Sequence, residues 1–465
     1  MIQLTVAQLA RAVGGRPVNV DPQLLITGGV VTDSRLAGPG AVFVAVRGER
    51  TDGHEHAEAA AAAGAALVVA ERPVEAPHVL VEDSVVALGE LAREVLARLR
   101  AEGSLRVVGL TGSVGKTTTK DVLAQVLAQA GPTVAPRESF NNEIGLPLTV
   151  LSATRETRYL VLEMGASGPG HIDYLTRIAP LDVAVVLVVG HAHMGGFGTI
   201  DAVARAKAEI VAGLRAGGTA VLNADDARVA AMAPAAPGTV TYFGRGEDAD
   251  VRATDVTLDE EARPSFMLHT DASGVRARHD VHLALHGEHQ VSNALAVAGA
   301  ALALGLDAGA VAEALGSAQR VSAHRMAVTH RPDGVVVVDD AYNANPDSMG
   351  AALRAVAAMP ARRRIAVVGE MLELGEEAER AHEDVGRLAA ELGIDVLVAP
   401  GPTGEQVRRG AAGGPHTHCP ADVDAAAALL GELLQEGDLV LLKGSNGSGV
   451  WRLAERLTES GGAAW

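Results

Sequence analysis

The chain has 465 residues, of which 48% are hydrophobic and 21% are charged, and its formal net charge is −18. This length exceeds what one hydrophobic core usually serves, so about two to four domains are expected. The negative charge opposes binding to nucleic acid, and an aromatic content of 2% leaves few side chains on which bases could stack.

The single cysteine, Cys419, rules out a disulfide within the chain and is typical of a reducing compartment. The first six residues lack the basic start and apolar core of a signal peptide. The longest apolar runs, at 59–70 and 181–190, fall short of the roughly 18 residues that a membrane span needs. We therefore predict a cytoplasmic protein without a membrane span.

Alternating strand and helix patterns predict an α/β protein of three domains. Residues 1–102 form a small α/β unit, with strands at 30–31, 42–46 and 67–70 and a helix at 57–63. Residues 103–320 form a mostly parallel sheet with helices on both faces, with strands at 107–110, 159–162, 183–189 and 219–222 and helices at 121–130 and 200–214. Residues 321–465 form a Rossmann-like α/β unit, with strands at 335–338, 364–368, 395–398 and 439–442.

A phosphate-binding loop is the most specific motif of the chain. An apolar strand at 106–111 leads into Gly-Ser-Val-Gly-Lys-Thr-Thr at 112–118, and a helix follows. Backbone N–H groups of such a loop wrap a triphosphate, its lysine bridges the outer phosphates, and its first threonine reaches Mg2+. The strict pattern has glycine where this chain has Leu110, so the match is to a variant. The predicted nucleotide contacts here are Gly112, Ser113, Val114, Gly115, Lys116, Thr117 and Thr118.

Glu163 ends the apolar strand that follows the phosphate loop. A carboxylate at this position either binds the metal of the nucleotide, caps a helix or is solvated, and the nearby phosphate loop favours metal binding. His191 and His193 come just beyond the strand at 183–189, where ligands gather in α/β sheets, although a histidine at such a place is commonly structural.

Lys207 lies on the predicted helix at 200–214. The simplest interpretation is an exposed lysine paired with Glu209 or Asp201, and the spacing alone does not exclude it.

Two clusters of asparagine follow predicted strands. Asn141 and Asn142 precede an acid in a turn, where asparagines usually make local hydrogen bonds. The segment Asp-Asp-Ala-Tyr-Asn-Ala-Asn-Pro at 339–346 crowds two carboxylates and two amides at the end of a strand. Such a cluster is suited to bind a ribose or a reacting amine.

Together these motifs resemble the Mur ligases, the ATP-dependent amide-forming family of peptidoglycan precursor synthesis, over nearly the full chain. The segments that carry the resemblance are 32–35 and 48–54 in the first domain, 111–118, 141–147, Glu163, His193, Lys207, 222–226 and 287–293 in the second, and Arg325, 339–346, 369–375, His382 and 443–445 in the third. The string at 339–346 points to the member that adds D-alanyl-D-alanine. The chain departs from the family pattern at Val188, Gly195 and Asn446.

The resemblance implies a set of roles. Lys116, Glu163, His193 and Lys207 would be catalytic, and Asn293, Arg325 and Asp340 would contact ATP. Thr117 and Glu163 would hold one Mg2+, His193 would help to hold a second, and Lys207 would be carbamylated. The substrate contacts would be Ser34, Arg35, Asn141, Asn142, Asn343 and Asn345.

The resemblance also implies the partners. A UDP-sugar would bind the first domain, and the substrates would be UDP-MurNAc-tripeptide and D-alanyl-D-alanine, used by a monomer. A third-residue-adding Mur ligase or a folate polyglutamate ligase would share the ATP chemistry. A regulatory GTPase with a phosphate loop is the alternative from another class, but the chain lacks its Asn-Lys-x-Asp motif.

Overall fold

The strands of the computed structural model form four sheets within the residues that the structure describes, 1–48, 51–191, 194–272 and 275–459. The first unit contains β1 (Leu4–Thr5), β2 (Arg16–Val18), β3 (Leu25–Ile26), β4 (Val30–Val31), β5 (Val42–Val44), β6 (Leu67–Ala70), β7 (His78–Leu80), α1 (Val6–Ala12), α2 (Ala57–Ala62) and α3 (Ser84–Glu102). β1 pairs with β3, and the other strands form a sheet in the order β2-β7-β6-β5-β4.

The central unit is built on a nine-stranded sheet in the order β16-β15-β14-β13-β12-β11-β8-β10-β9. Its strands are β8 (Arg106–Thr111), β9 (Thr133–Val134), β10 (Tyr159–Glu163), β11 (Leu181–Val186), β12 (Leu214–Asn223), β13 (Thr239–Gly244), β14 (Val251–Leu258), β15 (Pro264–Ala272) and β16 (Val275–His282). Its helices are α4 (Lys116–Ala128), α5 (Gly145–Leu151), α6 (His171–Ile178), α7 (Met194–Phe197), α8 (Ile200–Ala212), α9 (Ala227–Ala230), α10 (Gln290–Ala303) and α11 (Ala308–Ser317).

The third unit has a six-stranded sheet in the order β17-β18-β22-β19-β20-β21, parallel except for the β17–β18 pair. Its strands are β17 (Ala327–His330), β18 (Val336–Asp339), β19 (Arg363–Val368), β20 (Val396–Val398), β21 (His416–His418) and β22 (Asp438–Lys443). Its helices are α12 (Pro346–Ala358), α13 (Ala378–Glu391), α14 (Gly404–Gly410), α15 (Val423–Leu433) and α16 (Trp451–Glu459).

The predicted α/β class and the mostly parallel sheets are confirmed, and several predicted bounds need correction. The strand predicted at 183–189 ends at Val186, and the helix predicted at 200–214 ends at Ala212. The helix predicted at 121–130 begins earlier, at Lys116, because the phosphate loop leads directly into it. The antiparallel strands β15 and β16 are absent from the sequence prediction.

The first two units share one hydrophobic core, in which side chains of β5 and β6 join those of β8 and β10. Helix α3 packs against α5 and α6. The approach is close at Gly89, where an added Cβ would lie 2.8 Å from the hydroxyl of Tyr174. The domain limits at 102/103 and 320/321 stay predictions.

Candidate active site

The phosphate loop connects β8 to α4, and two of its glycines are required by their surroundings. Gly115 has a φ of +82°, which favours glycine, and an added Cβ there would lie 2.5 Å from Asn293 Oδ1. A Cβ on Gly112 would lie 2.8 Å from the Cβ of Leu187. The backbone of the loop therefore fits tightly between Leu187, the residue after β11, and Asn293 of α10. The N-terminus of the 13-residue helix α4 faces the loop. A phosphate group is the ligand that such a helix end favours.

The ammonium of Lys116 lies over this loop, where Nζ donates a hydrogen bond to the carbonyl of Gly112 at 2.8 Å. Burial lowers the pKa of Lys116, the carboxylate of Glu163 acts in the opposite direction, and the charge of Arg325 lowers the pKa further. Two cations, Lys116 and Arg325, therefore lie close together with little hydration. Binding of a polyanion would compensate their repulsion and their lost hydration.

Oxygen ligands converge beside the loop. The hydroxyl of Thr117 donates to Glu163 Oε2 at 3.0 Å, and Asn141 Nδ2 donates to Glu163 Oε1 at 2.7 Å. Glu163 is 1% exposed. The hydroxyl of Ser139 lies 2.9 Å from that of Thr117. This pair of a hydroxyl and a carboxylate fits Mg2+, which typically takes one or two carboxylates and completes its shell with phosphate oxygens and water.

No group of three histidine, cysteine, aspartate or glutamate side chains that could hold a metal occurs in the part of the chain that the structure describes. His193, the predicted ligand of a second Mg2+, lies outside the described residues. Its role stays a prediction.

Lys207 is buried, at 5% exposure, so the interpretation as an exposed lysine is wrong. Its two candidate partners are engaged elsewhere. The carboxylate of Glu209 accepts hydrogen bonds from the backbone N–H groups of Gly170 and Asp173, at 2.7 and 3.0 Å. Asp201 lies 3.6 Å from Arg228.

Burial lowers the pKa of Lys207 well below its usual range, and the charge of Lys116 lowers it further. The main cause is that burial removes the hydration of the charged amine.

The third unit contributes Arg325 to the same place. Its Nη2 lies 3.2 Å from the hydroxyl of Thr117 and 3.3 Å from that of Ser139, and its guanidinium stacks 4.3 Å from the ring centre of Tyr342. Its Nε is buried without a hydrogen-bond partner among the described residues. An unpaired buried donor is costly, so it points to an acceptor supplied by a ligand.

Asp340 and Lys443 form an ion pair at 2.6 Å between the ends of β18 and β22. Lys443 Nζ also donates to the backbone carbonyl of Asn343 at 3.0 Å. Asp340 Oδ1 accepts from the backbone N–H of Met326 at 3.1 Å, so the carboxylate fixes the chain next to Arg325.

These groups surround a cavity of about 720 Å3 between the units. The predicted site residues that line it are Ser113, Val114, Gly115, Lys116, Thr117, Thr118, Asn141, Asn142, Glu163, Asn293, Arg325, Asp340, Asn343 and Asn345. The first unit adds Asp83, Val85 and Val86 at one end.

Four of the predicted site residues that the structure describes do not line this cavity. They are Ser34, Arg35, Gly112 and Lys207. Arg35 is instead paired with Asp33 at 2.6 Å, with its side chain 86% exposed. Contact of Ser34 and Arg35 with a UDP group stays a prediction, and two residues of the associated segment, Glu49 and Arg50, lie outside the described residues.

Three family models match the chain. They are the Mur ligase family catalytic domain at 27–101, the Mur ligase middle domain at 110–301 and the Mur ligase glutamate ligase domain at 324–446. The chain is 46% identical to the UDP-N-acetylmuramoyl-tripeptide–D-alanyl-D-alanine ligase of Mycobacterium bovis, and the match covers 98% of each chain. The chain belongs to the Mur ligase family. It is therefore an ATP-dependent ligase, and the alternative of a regulatory GTPase is excluded.

Solved Mur ligases share the whole architecture. MurF from Acinetobacter baumannii superposes with a TM-score of 0.89 at 32% identity, over 99% of this chain and 100% of that one. MurF from Thermotoga maritima, solved in complex with ADP, gives a TM-score of 0.81 at 32% identity, over 93% and 98% of the two chains. The predicted three-domain fold is confirmed by these comparisons.

The structure describes the contacts of the three residues that depart from the Mur ligase pattern. Gly195 donates its N–H to the carbonyl of Glu373 at 2.9 Å, and an added Cβ would lie 3.3 Å from that oxygen. The carbonyl of Val188 accepts from the N–H of Ser113 at 2.9 Å. Asn446 is exposed at the start of a short 3-10 helix. Gly195 thus makes a backbone contact between the central and third units.

Sequence reasoning missed several members of this Mur ligase site. Ser139, Tyr342, His289 and Lys443 line the cavity but were not assigned to it. Tyr342 and Lys443 lie in the segments 339–346 and 443–445, which carry the family resemblance, so both could have been assigned to the site from the sequence. His289 likewise lies in the segment 287–293, whereas Ser139 lies outside the segments named above and reaches the cavity through tertiary packing.

None of the described helices is both long and apolar enough to span a membrane.

Proposed function

We propose that this Mur ligase joins D-alanyl-D-alanine to UDP-MurNAc-tripeptide, giving UDP-MurNAc-pentapeptide, ADP and phosphate. One observation carries the proposal. A phosphate loop, the pair of Thr117 and Glu163, and Arg325 of the third unit meet at one cavity. The chain also matches UDP-N-acetylmuramoyl-tripeptide–D-alanyl-D-alanine ligases over almost its whole length. We expect the enzyme to act as a monomer in the cytoplasm.

The chemistry follows from the poor reactivity of a carboxylate toward amines. An oxygen of the terminal tripeptide carboxylate attacks the γ-phosphorus of ATP, and the bond from that phosphorus to ADP breaks. The amine of the dipeptide then attacks the carbonyl carbon of the acyl phosphate, phosphate leaves, and the amine loses a proton. Lys116 and Arg325 would neutralise the phosphoryl oxygens as negative charge shifts between them.

Mg2+ would supply further neutralisation of the phosphates when it is bound. Thr117 and Glu163 are the residues that would hold it, since their oxygens already lie 3.0 Å apart. We propose that His193 takes part in a second metal site.

Carbamylation would give Lys207 a role that its amine cannot fill. The neutral amine attacks the carbon of CO2, one proton leaves, and a carbamate with one negative charge results. A buried ammonium would repel Mg2+, whereas the carbamate would attract it. The burial of Lys207 and the lowered pKa of its amine support this proposal.

The incoming dipeptide would bind the third unit near 339–346, where Asn343 lines the cavity. Asn141 and Asn142, which line the same cavity, would contact the growing peptide. We propose that Ser34 and Arg35 contact the UDP group.

A phosphate-release assay with UDP-MurNAc-tripeptide and ATP tests the proposal. D-Alanyl-D-alanine should support turnover, and D-alanine alone should be a poor acceptor. Two further arms cover the alternatives: UDP-MurNAc-dipeptide with a diamino acid, and folate with glutamate. Preference for a free amino acid in any arm would overturn the assignment of the acceptor while leaving the ATP chemistry intact.

A further inference from the structure

A ring of hydrogen bonds joins the phosphate loop to the N-terminus of α12 in the third unit. On one side, the hydroxyl of Ser113 accepts from the N–H of Gly190 at 2.8 Å and lies 3.1 Å from its carbonyl oxygen. The next residue, His191, donates its N–H to Asp347 Oδ2 at 2.8 Å. On the other side, Asn345 Nδ2 donates to the carbonyl of Ser113 at 3.3 Å.

Asn345 is oriented for this contact by its role in α12. Its Oδ1 accepts from the N–H of Ser348 at 2.8 Å, and the hydroxyl of Ser348 accepts from the N–H of Asn345 at 3.0 Å. This capping box fixes the side chain, so that Nδ2 points at Ser113. Asn345 was predicted from the sequence as a substrate contact. In the structure its amide forms part of the junction between the central and third units.

Asp347 closes the ring from the first turn of the same helix. Its carboxylate does not line the cavity, and its side chain is 40% exposed. The imidazole Nδ1 of His191 lies 3.6 Å from the oxygen that accepts the backbone N–H. The fit is tight, because a Cβ added to Gly190 would lie 2.2 Å from Asp347 Oδ2.

We propose that Asp347 is a positioning residue that holds the third unit closed on the phosphate loop. Opening of the cleft breaks the bonds from His191 to Asp347 and from Asn345 to Ser113 together, because Asp347 and Asn345 belong to one rigid helix end. Because Ser113 belongs to the phosphate loop and bonds to both Gly190 and Asn345, nucleotide bound to this loop would act on the same junction. Closure in turn brings Arg325 to Thr117 and excludes water from the reacting groups.

This inference rests on the proposed function only for the kinetic part of its test. Closure is measured as the distance between two spin labels on different units. One label is on Cys419, the single cysteine of the chain, which is exposed on the third unit, and the other is on a cysteine introduced by Glu313→Cys on α11 of the central unit. Every variant carries both labels. Pulsed EPR records the distance distribution as a non-hydrolysable ATP analogue and Mg2+ are added.

In the labelled parent, the analogue should shift the distribution to one population. Asp347→Ala should raise the analogue concentration for half of this shift by about tenfold, the scale of one hydrogen bond to a charged group. Asp347→Asn keeps an acceptor for the N–H of His191 and should restore the shift to within about threefold. In the ligation assay, Asp347→Ala should lower kcat by a larger factor than it changes the KM for the dipeptide.

Gly190→Ala supplies an independent arm, because its methyl group meets the carboxylate of Asp347. Alone it should impair closure as Asp347→Ala does, and the double variant should be no worse than either single one. Additive effects, or an Asp347→Ala protein that closes as the parent does, would overturn the inference.

Two controls separate this role from others. A fall in melting temperature with an unchanged EPR titration would mean that Asp347 only caps α12, which also overturns the inference. If the parent closes on the analogue and Asp347→Ala does not, yet no D-alanyl-D-alanine is ligated, the inference stands and the proposed function fails.

Discussion

The hydroxyl of Thr117 and the carboxylate of Glu163 meet at 3.0 Å, although they lie 46 positions apart in the chain. The contact exists because β8 and β10 are adjacent parallel strands, with Glu163 in register with Leu110. The strand that carries the acid therefore ends beside the phosphate loop, where a metal held by both residues would touch the nucleotide.

Glu163→Gln tests this metal site. The amide keeps the size of the side chain and loses its charge, so we expect turnover to fall by at least about 100-fold. The Mg2+ concentration for half-maximal activity should rise. Glu94→Gln, a change of a half-buried carboxylate on α3 that does not line the cavity, is the matched control and should behave as the parent. A Glu163→Gln enzyme with the parent's dependence on Mg2+ would remove Glu163 from the metal site.

Lys116→Ala should abolish ligation without unfolding the protein, because the phosphate loop loses the ammonium over Gly112. The loss of turnover should exceed about 100-fold, the scale of one preorganised contact to the transition state. Circular dichroism checks the fold, and Arg387→Ala on the surface of α13 is the control. Retention of more than about a tenth of the parent's turnover would contradict the assigned role.

Lys207→Ala should be nearly inactive, and a short added carboxylate such as acetate should restore part of the activity. Nucleotide binding should suffer less than turnover, because the phosphate loop with Lys116 and Thr117 is unchanged in this variant. Arg205→Ala changes an exposed cation of the same helix and should have little effect.

The modification of Lys207 is measurable directly. Enzyme equilibrated with 13C-bicarbonate should show a carbamate carbon by NMR, and Lys207→Ala should lack it. A parent enzyme without this signal under turnover conditions would refute carbamylation.

Arg325→Lys keeps a positive charge but loses the planar fork that reaches Thr117 and Ser139 and stacks on Tyr342. We expect kcat/KM for ATP to fall by about 10- to 100-fold, corresponding to one or two lost hydrogen bonds to charged groups. Arg320→Lys, an exposed change in the preceding linker, is the control. Equal kinetics for the two variants would show that Arg325 acts only through its charge.

Asp182 joins the first two units and offers a test of stability. Its carboxylate, 8% exposed, accepts from Arg100 at 2.8 Å, from the N–H of Val107 at 2.8 Å and from Arg215 at 2.9 Å. Asp182→Ala leaves the guanidinium of Arg100, whose side chain is 15% exposed, without its counter-ion and with only the carbonyl of Pro180 as a hydrogen-bond partner among the described residues, so it should cost about 3–5 kcal/mol of unfolding free energy. Arg215, half exposed, is the control, and Arg215→Ala should cost less than about 1 kcal/mol in urea titrations. Similar midpoints for both variants would contradict this account.

Local sequence determined much of this protein. The glycines, Lys116 and Thr117 of the phosphate loop are neighbours in the chain, so strand, turn and helix signals suffice to predict their geometry. The alternation of strands and helices likewise determined the α/β class. Glu163 was predictable because the end of a parallel strand has a known position relative to its neighbours.

Tertiary structure alone decided the burial of Lys207 and the approach of Arg325 to Thr117. An alanine-rich helix gives no local signal for which face is enclosed, since alanine is compatible with both core and surface. The site between the central and third units depends on how two separately folded sheets pack together. That packing rests on contacts such as Asp347 with His191, 156 positions apart, which no periodicity in the chain encodes.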